Sequence, residues 1–145
     1  LAVATIDPVY TASAKVIGGR SGHGTTSDGV LDVALKSPGA KGDPKATNPE
    51  QLFAVGYAAC YQSALQTAAR LAGEDASESV VQSDVSLGKD GNTGFYGLAV
   101  KLTVSIPGMD RSKVEALAHA AHERCPYSRA TRGNIEVTIT VSDYI

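Results

Sequence analysis

The chain has 145 residues, a formal net charge of −2, and 43% apolar against 19% charged residues. That balance excludes a disordered chain, and the length suits one domain spanning 1–145. No basic stripe is present to neutralise phosphates and no apolar run approaches the ~20 residues of a membrane helix, so neither nucleic acid nor membrane is an expected partner.

The amino end, Leu1-Ala-Val-Ala-Thr-Ile-Asp7, has neither the basic region nor the long apolar stretch of a secretory signal. With the only Met at Met109, it reads as a processed end. Two cysteines are too few for a secreted disulfide scaffold. A cytoplasmic setting is therefore expected, where a pair of thiols is more often reactive than structural.

Tyr10 to Ile17 alternates small or polar with apolar positions and predicts a strand. Gly18-Gly-Arg-Ser-Gly-His-Gly24 then reads as a glycine-rich turn, with no phosphate-loop or dinucleotide spacing. Val30 to Lys36 resumes the alternation, so the two runs predict a hairpin. Ser37 to Asn48, with Pro38, Gly39, Gly42 and Pro44, is a surface loop. Asn48-Pro49-Glu50-Gln51 is a helix start, with Asn at the cap, Pro at the first position and an acid in the first turn. The helix should run to Leu71 or Ala72, with Gly73 as its stop. From Leu52 to Tyr61 it is apolar or small on all sides, which predicts burial all round, by a wrapping sheet or by a second chain. Val80–Leu87 and Phe95–Ile106 predict two strands joined by a polar turn. Asp110 then caps a helix with an apolar stripe through Val114, Leu117, Ala118, Ala121 and Cys125, which Pro126 ends. Asn134 to Ser142 is a last half-buried strand. The order β-β-α-β-β-α-β is an α+β fold built on hairpins.

Cys60 lies in the middle of the apolar helix and Cys125 in the last turn of the second; both face inward by pattern and could meet. They read as buried core thiols, as a structural disulfide stabilising by about 4 kcal/mol, or as a reactive pair. The reactive reading needs a thiolate, because a thiol of pKa ~8.5 is a poor nucleophile. Burial pushes that pKa up, so a cation must be brought in. One guanidinium at ~4 Å and an effective dielectric of ~20 supplies on the order of 4 kcal/mol before desolvation. Arg20, in the glycine-rich turn, is the leading candidate, although a solvated loop arginine would look the same. Glu50 could hold that guanidinium in a bidentate pair, or simply face the helix dipole. Glu50 and Cys60 are ten residues apart on one helix, about 15 Å along its axis. One Arg cannot easily serve both in the same chain, so a shared site implies that Arg20 and Glu50 come from a second subunit.

His119, His122 and Cys125, with Cys60, make a formal zinc-type set. Steps of three rotate by about −60°, so the outer ligands point ~120° apart and the histidines read as ordinary helix residues. Phe53, Tyr57, Tyr61 and Tyr127 read as core, with some lining an apolar substrate pocket if the cysteines react.

Tyr10-Thr-Ala, Gly18-Gly-Arg20, Ser27-Asp-Gly-Val-Leu-Asp-Val33, Asn48-Pro-Glu-Gln-Leu-Phe53, Gly56-Tyr-Ala-Ala-Cys60, Cys125-Pro-Tyr-Ser128 and Ala130-Thr-Arg-Gly-Asn134 occur in this order. From Tyr10 on, the chain resembles the organic hydroperoxide resistance family of bacterial thiol peroxidases, in the superfamily of osmotically inducible protein C. The resemblance implies a peroxidase without metal or prosthetic group. Cys60 matches the peroxidatic cysteine and Cys125 the resolving cysteine, which closes a disulfide with it. Arg20 and Glu50 match the polar pair that activates Cys60 and orients the peroxide. The implied fold is an intertwined homodimer, with antiparallel sheets wrapped around two central helices and sites at the interface. The implied substrates are organic hydroperoxides, and the implied reductant is a dithiol on a lipoylated protein. Arg129 departs from the Asn expected there. A redox-sensing or binding module that uses the same reversible disulfide is the alternative reading.

Overall fold

Residues 3–145 are described by the computed structural model. Leu1 and Ala2, part of the segment read above for a secretory signal, lie outside them. The chain divides into two compact units, Leu1–Pro49 and Glu50–Ile145.

The first unit is a three-stranded antiparallel sheet in the order β1 (Ala14–Ile17), β2 (His23–Thr26) and β3 (Asp32–Ala34). Two strands and one long turn were expected; instead the glycine-rich segment closes early and its end becomes β2. Gly18 and Gly19 take positive φ values of 82° and 57°, a backbone region that costs glycine little. A Cβ at Gly22 would stand 1.6 Å from the Ile17 carbonyl oxygen, so only glycine fits there. The chain therefore reverses through a single 3-10 turn, Gly19–Ser21, and pairs Ile17 with His23. His-Gly-Thr-Thr carries no alternation of large apolar residues, which is why this strand is silent in the sequence. The β2–β3 reversal is fixed by the Asp28 carboxylate, which accepts from the Val30 N–H at 3.0 Å and the Thr26 hydroxyl at 2.8 Å.

Helix α1 (Pro49–Leu71) opens the second unit. It ends as expected, with Gly73 at φ 73° and the Glu74 N–H bonded to the Ala69 carbonyl at 2.8 Å, a left-handed C-terminal cap. Within the chain it is buried on one side, so a wrapping sheet of its own chain does not cover it all round. Tyr57, Tyr61, Leu65, Ala68 and Ala69 form one buried stripe, while Leu52, Val55 and Ala59 are exposed, Val55 at 72%. One face of the helix packs into the core of the chain, and the opposite apolar face does not.

The second sheet has the order β4 (Val80–Lys89), β5 (Tyr96–Ser105) and β6 (Glu136–Val141). β4 and β5 form the expected hairpin, but β5 and β6 run parallel, which corrects the all-antiparallel expectation. Two helices lie between them, α2 (Arg111–Arg124) and α3 (Pro126–Thr131). A crossover of that length carries the chain back to start β6 in the same direction as β5. Val100, Leu102 and Val104 of β5 pack with the α1 stripe and with Val114, Leu117, Ala118 and Ala121 of α2 to make the core. The α+β class holds, with one strand and one short helix more than expected. Among the described residues, no helix is long and apolar enough to cross a membrane.

Candidate active site

Cys60 projects from the middle of α1, one residue before the buried Tyr61. Cys125 is not in the last turn of α2, as expected, but at the corner between α2 and α3: it is the C-cap of one and the N-cap of the other. Pro126 ends α2 and at the same time starts α3, because proline is tolerated at a first helical position. The Cys125 sulfur accepts from the Ser128 N–H at 3.5 Å and is fully buried. Cys60 is partly buried, and both are free thiols.

The fold brings these two side chains within reach of one another across 65 positions of chain, close enough for Cys125 to act on the Cys60 thiol. Three influences act on the Cys60 thiol. Burial pushes its pKa up, the backbone N–H of Tyr127 draws it down, and the neighbouring Cys125 pushes it up again. The net direction is upward, away from the nucleophilic thiolate.

Three aromatic rings of α1 and α3 pack together next to the corner that carries Cys125. Phe53 and Tyr57 stack with centroids 5.9 Å apart, and Tyr127 closes on both at 5.9 and 5.7 Å. Gly56 permits that approach, since a Cβ there would meet the Tyr127 hydroxyl at 3.0 Å. Tyr57 and Tyr61 are fully buried, as expected of core residues, whereas Phe53 is half-buried and Tyr127 is 41% exposed. Of these four rings, Phe53 and Tyr127 are the ones that keep solvent exposure.

Of the other predicted residues, Arg20 lies in the Gly19–Ser21 turn of the first unit, exposed. Glu50 sits in the first turn of α1, half-buried, about 15 Å along the helix axis from Cys60. His119 and His122 turn toward a groove of about 660 Å³ between α2 and β6, to which neither cysteine belongs. Burial first, then Arg132 and His119, lowers the His122 pKa, which suits a neutral helix histidine. Among the described residues no group of three or more His, Cys, Asp or Glu is placed to hold a metal ion.

Helix α3 and its hydroxyls escaped the sequence reading. The signal was present: a proline directly after a potential cap, and Gly133 at positive φ six residues beyond Tyr127.

Residues 42–140 match the family model of the OsmC-like proteins. The organic hydroperoxide resistance protein OhrA of Bacillus subtilis (strain 168) is 48% identical over 139 residues, covering 94% of this chain and 98% of the relative. The organic hydroperoxide resistance protein of Xanthomonas axonopodis pv. citri (strain 306) is 45% identical over 143 residues, covering 92% and 95%. Among solved structures, the crystal structure of the organic hydroperoxide resistance protein OhrB of Bacillus subtilis superposes with a TM-score of 0.87 at 42% identity, covering 93% of this chain and 100% of that one.

Proposed function

The chain belongs to the organic hydroperoxide resistance family of OsmC-like proteins, and from that membership we propose that it is a thiol peroxidase reducing organic hydroperoxides to alcohols. The observation that carries the reading is the proximity of the half-accessible Cys60 to the fully buried Cys125. The Cys60 thiolate attacks the terminal peroxide oxygen, the O–O bond breaks, and the alkoxide leaves as alcohol after taking a proton. Cys60 is then a sulfenic acid. The Cys125 sulfur attacks it, hydroxide leaves as water, and a Cys60–Cys125 disulfide remains. A dithiol reductant, on this reading a lipoyl group carried by a protein, returns both thiols by exchange and is itself oxidised to a disulfide. Phe53 and Tyr127 offer the apolar surface on which an alkyl chain would rest.

Within Glu50–Ile145 the net push on the Cys60 thiol is upward, so this chemistry needs a cation from elsewhere. We assign it to Arg20, oriented by Glu50, both contributed by a second copy of the chain in an intertwined homodimer. The exposed apolar face of α1 at Leu52 and Val55 supports such a partner. In this arrangement the two compact units act as one functional domain, in the cytoplasm.

Stopped-flow mixing with tert-butyl hydroperoxide tests the reading. Cys60→Ser is expected to abolish oxidation, whereas Cys125→Ser is expected to undergo one oxidation and stall as the sulfenic acid. Equal rates for wild type and Cys60→Ser would overturn the assignment. Sustained turnover with dihydrolipoamide separates an enzyme from a redox sensor, which would be oxidised once per molecule and stop.

A further inference from the structure

Two buried phenols bracket the corner that carries Cys125. The Tyr61 hydroxyl donates to the Ala118 carbonyl of α2 at 2.6 Å, seven residues before Cys125. The Tyr57 hydroxyl bonds the Ser128 hydroxyl of α3 at 2.8 Å and the Thr131 hydroxyl at 3.0 Å, just beyond Cys125. Tyr57, Tyr61 and Ser128 are fully buried and Thr131 nearly so. Both phenols belong to α1, one turn apart, and Cys60 lies between them. The helix that carries one thiol therefore grips, on both sides, the corner that carries the other.

We propose that Tyr57 and Tyr61 are positioning residues for disulfide closure: by fastening α3 and α2 to α1 on either side of Cys125, they hold its sulfur against Cys60. The inference rests on the peroxidase reading above. Closure needs the attacking and receiving sulfurs aligned within a few tenths of an ångström, and a misplacement of ~1 Å can cost about 100-fold in rate. The Cys125 backbone is fixed by bonds to the Ala121 carbonyl at 2.8 Å and from the Arg129 N–H at 2.9 Å, whereas its sulfur accepts a long 3.5 Å bond from the Ser128 N–H, so the position of the thiol depends on where α2 and α3 are held. Ser128 thus supports the thiol through its backbone and answers Tyr57 through its side chain. Burial raises the Tyr61 pKa, so its phenol stays protonated and remains a donor to Ala118. Neither phenol reaches solvent, so their action is on Cys125 and not on the peroxide.

The test separates the two chemical steps. Tyr57→Phe keeps the ring against Phe53 and Tyr127 and removes only the hydroxyl. Reduced full-length protein is mixed with one equivalent of tert-butyl hydroperoxide, with and without dimedone to trap the sulfenic acid. For Tyr57→Phe, peroxide consumption in the first turnover is expected within about twofold of wild type, and disulfide closure slower by about tenfold. The dimedone adduct on Cys60 should rise accordingly. Ser128→Ala and Thr131→Val, which remove the partner hydroxyls, are measured alongside and should show the same split. Closure at the wild-type rate in any folded variant of the three overturns the inference, as does equal slowing of both steps. If wild type forms no Cys60–Cys125 disulfide, the peroxidase reading falls, and this inference with it. A normal wild-type disulfide with unaltered variants removes the inference alone.

Discussion

The two units of this chain solve the burial problem in opposite ways. Glu50–Ile145 has a continuous core in which Leu102 and Val104 of a central strand lie wholly out of solvent against two helices. In residues 3–49 only Gly24 and Leu35 are buried, while Val9, Ile17 and Val30 stand at least 80% exposed. A sheet with so little apolar area removed from water gains almost nothing to offset its ordering entropy. The difference bears on the proposed chemistry: the well-packed unit holds both sulfurs, and the sparsely buried unit holds the arginine assigned to activate them.

In the homodimer proposed above, the exposed face of α1 is the place to break that division most severely. Val55→Asp sets a carboxylate into the proposed contact, where an unpaired buried charge costs about 4 kcal/mol, or roughly 1,000-fold in dimer dissociation constant. Sedimentation velocity should show monomer, while tyrosine fluorescence reports an intact core; a persisting dimer would remove α1 from the interface.

Arg20→Ala tests the proposed activation of Cys60. Loss of the guanidinium should slow the peroxide step by about 100-fold at neutral pH. The sign of the pH effect follows from the thiolate being the reactive form: burial already raises the Cys60 pKa, and loss of a cation raises it further. The rate should therefore climb with pH in both proteins, with the variant's midpoint displaced upward and the two curves converging in alkali. Parallel curves would mean that Arg20 orients the peroxide and does not ionise the thiol.

Gly22→Ala sharpens the comparison from the other side. Its Cβ has no room beside the Ile17 carbonyl, so the turn carrying Arg20 must open. A fall of about tenfold in the peroxide step is expected, with the melting of the 50–145 core unchanged, read by calorimetry. The smallest effect belongs to His122. Its folded pKa is depressed below 6.5, so the unfolded chain binds the proton more readily and stability is lost as pH falls through that region. Acidification from pH 7 to 5 should lower the melting temperature by about 2 °C at most, and His122→Gln should flatten that slope.

Much of the fold around the candidate site was legible because its signals are local. Asn48-Pro49-Glu50 announces the start of α1 and Gly73 its end, and alternation from Val80 to Leu87 announces a strand. Cys60 and Cys125 stand out as the only thiols, within motifs specific enough to suggest a family. The parts that stayed hidden depend on partners distant in sequence. β2 forms because three glycines let the chain reverse early, not because His-Gly-Thr-Thr favours a strand. β6 is parallel because of the crossover before it, which alternation in Ile135 to Val141 cannot express.

By itself, then, the order of residues determined the two long helices, their stops, the β4–β5 hairpin and the chemical identity of the two sulfurs. Tertiary structure alone decided that a cysteine expected within a helix stands at a corner between two, and that Tyr57 meets Ser128 from 71 positions away. It also decided that one side of an apolar helix is left uncovered. The physical reason is the same each time. Caps, turns and periodicity act over a few residues, whereas burial and hydroxyl pairing are settled only when distant segments compete for the same space.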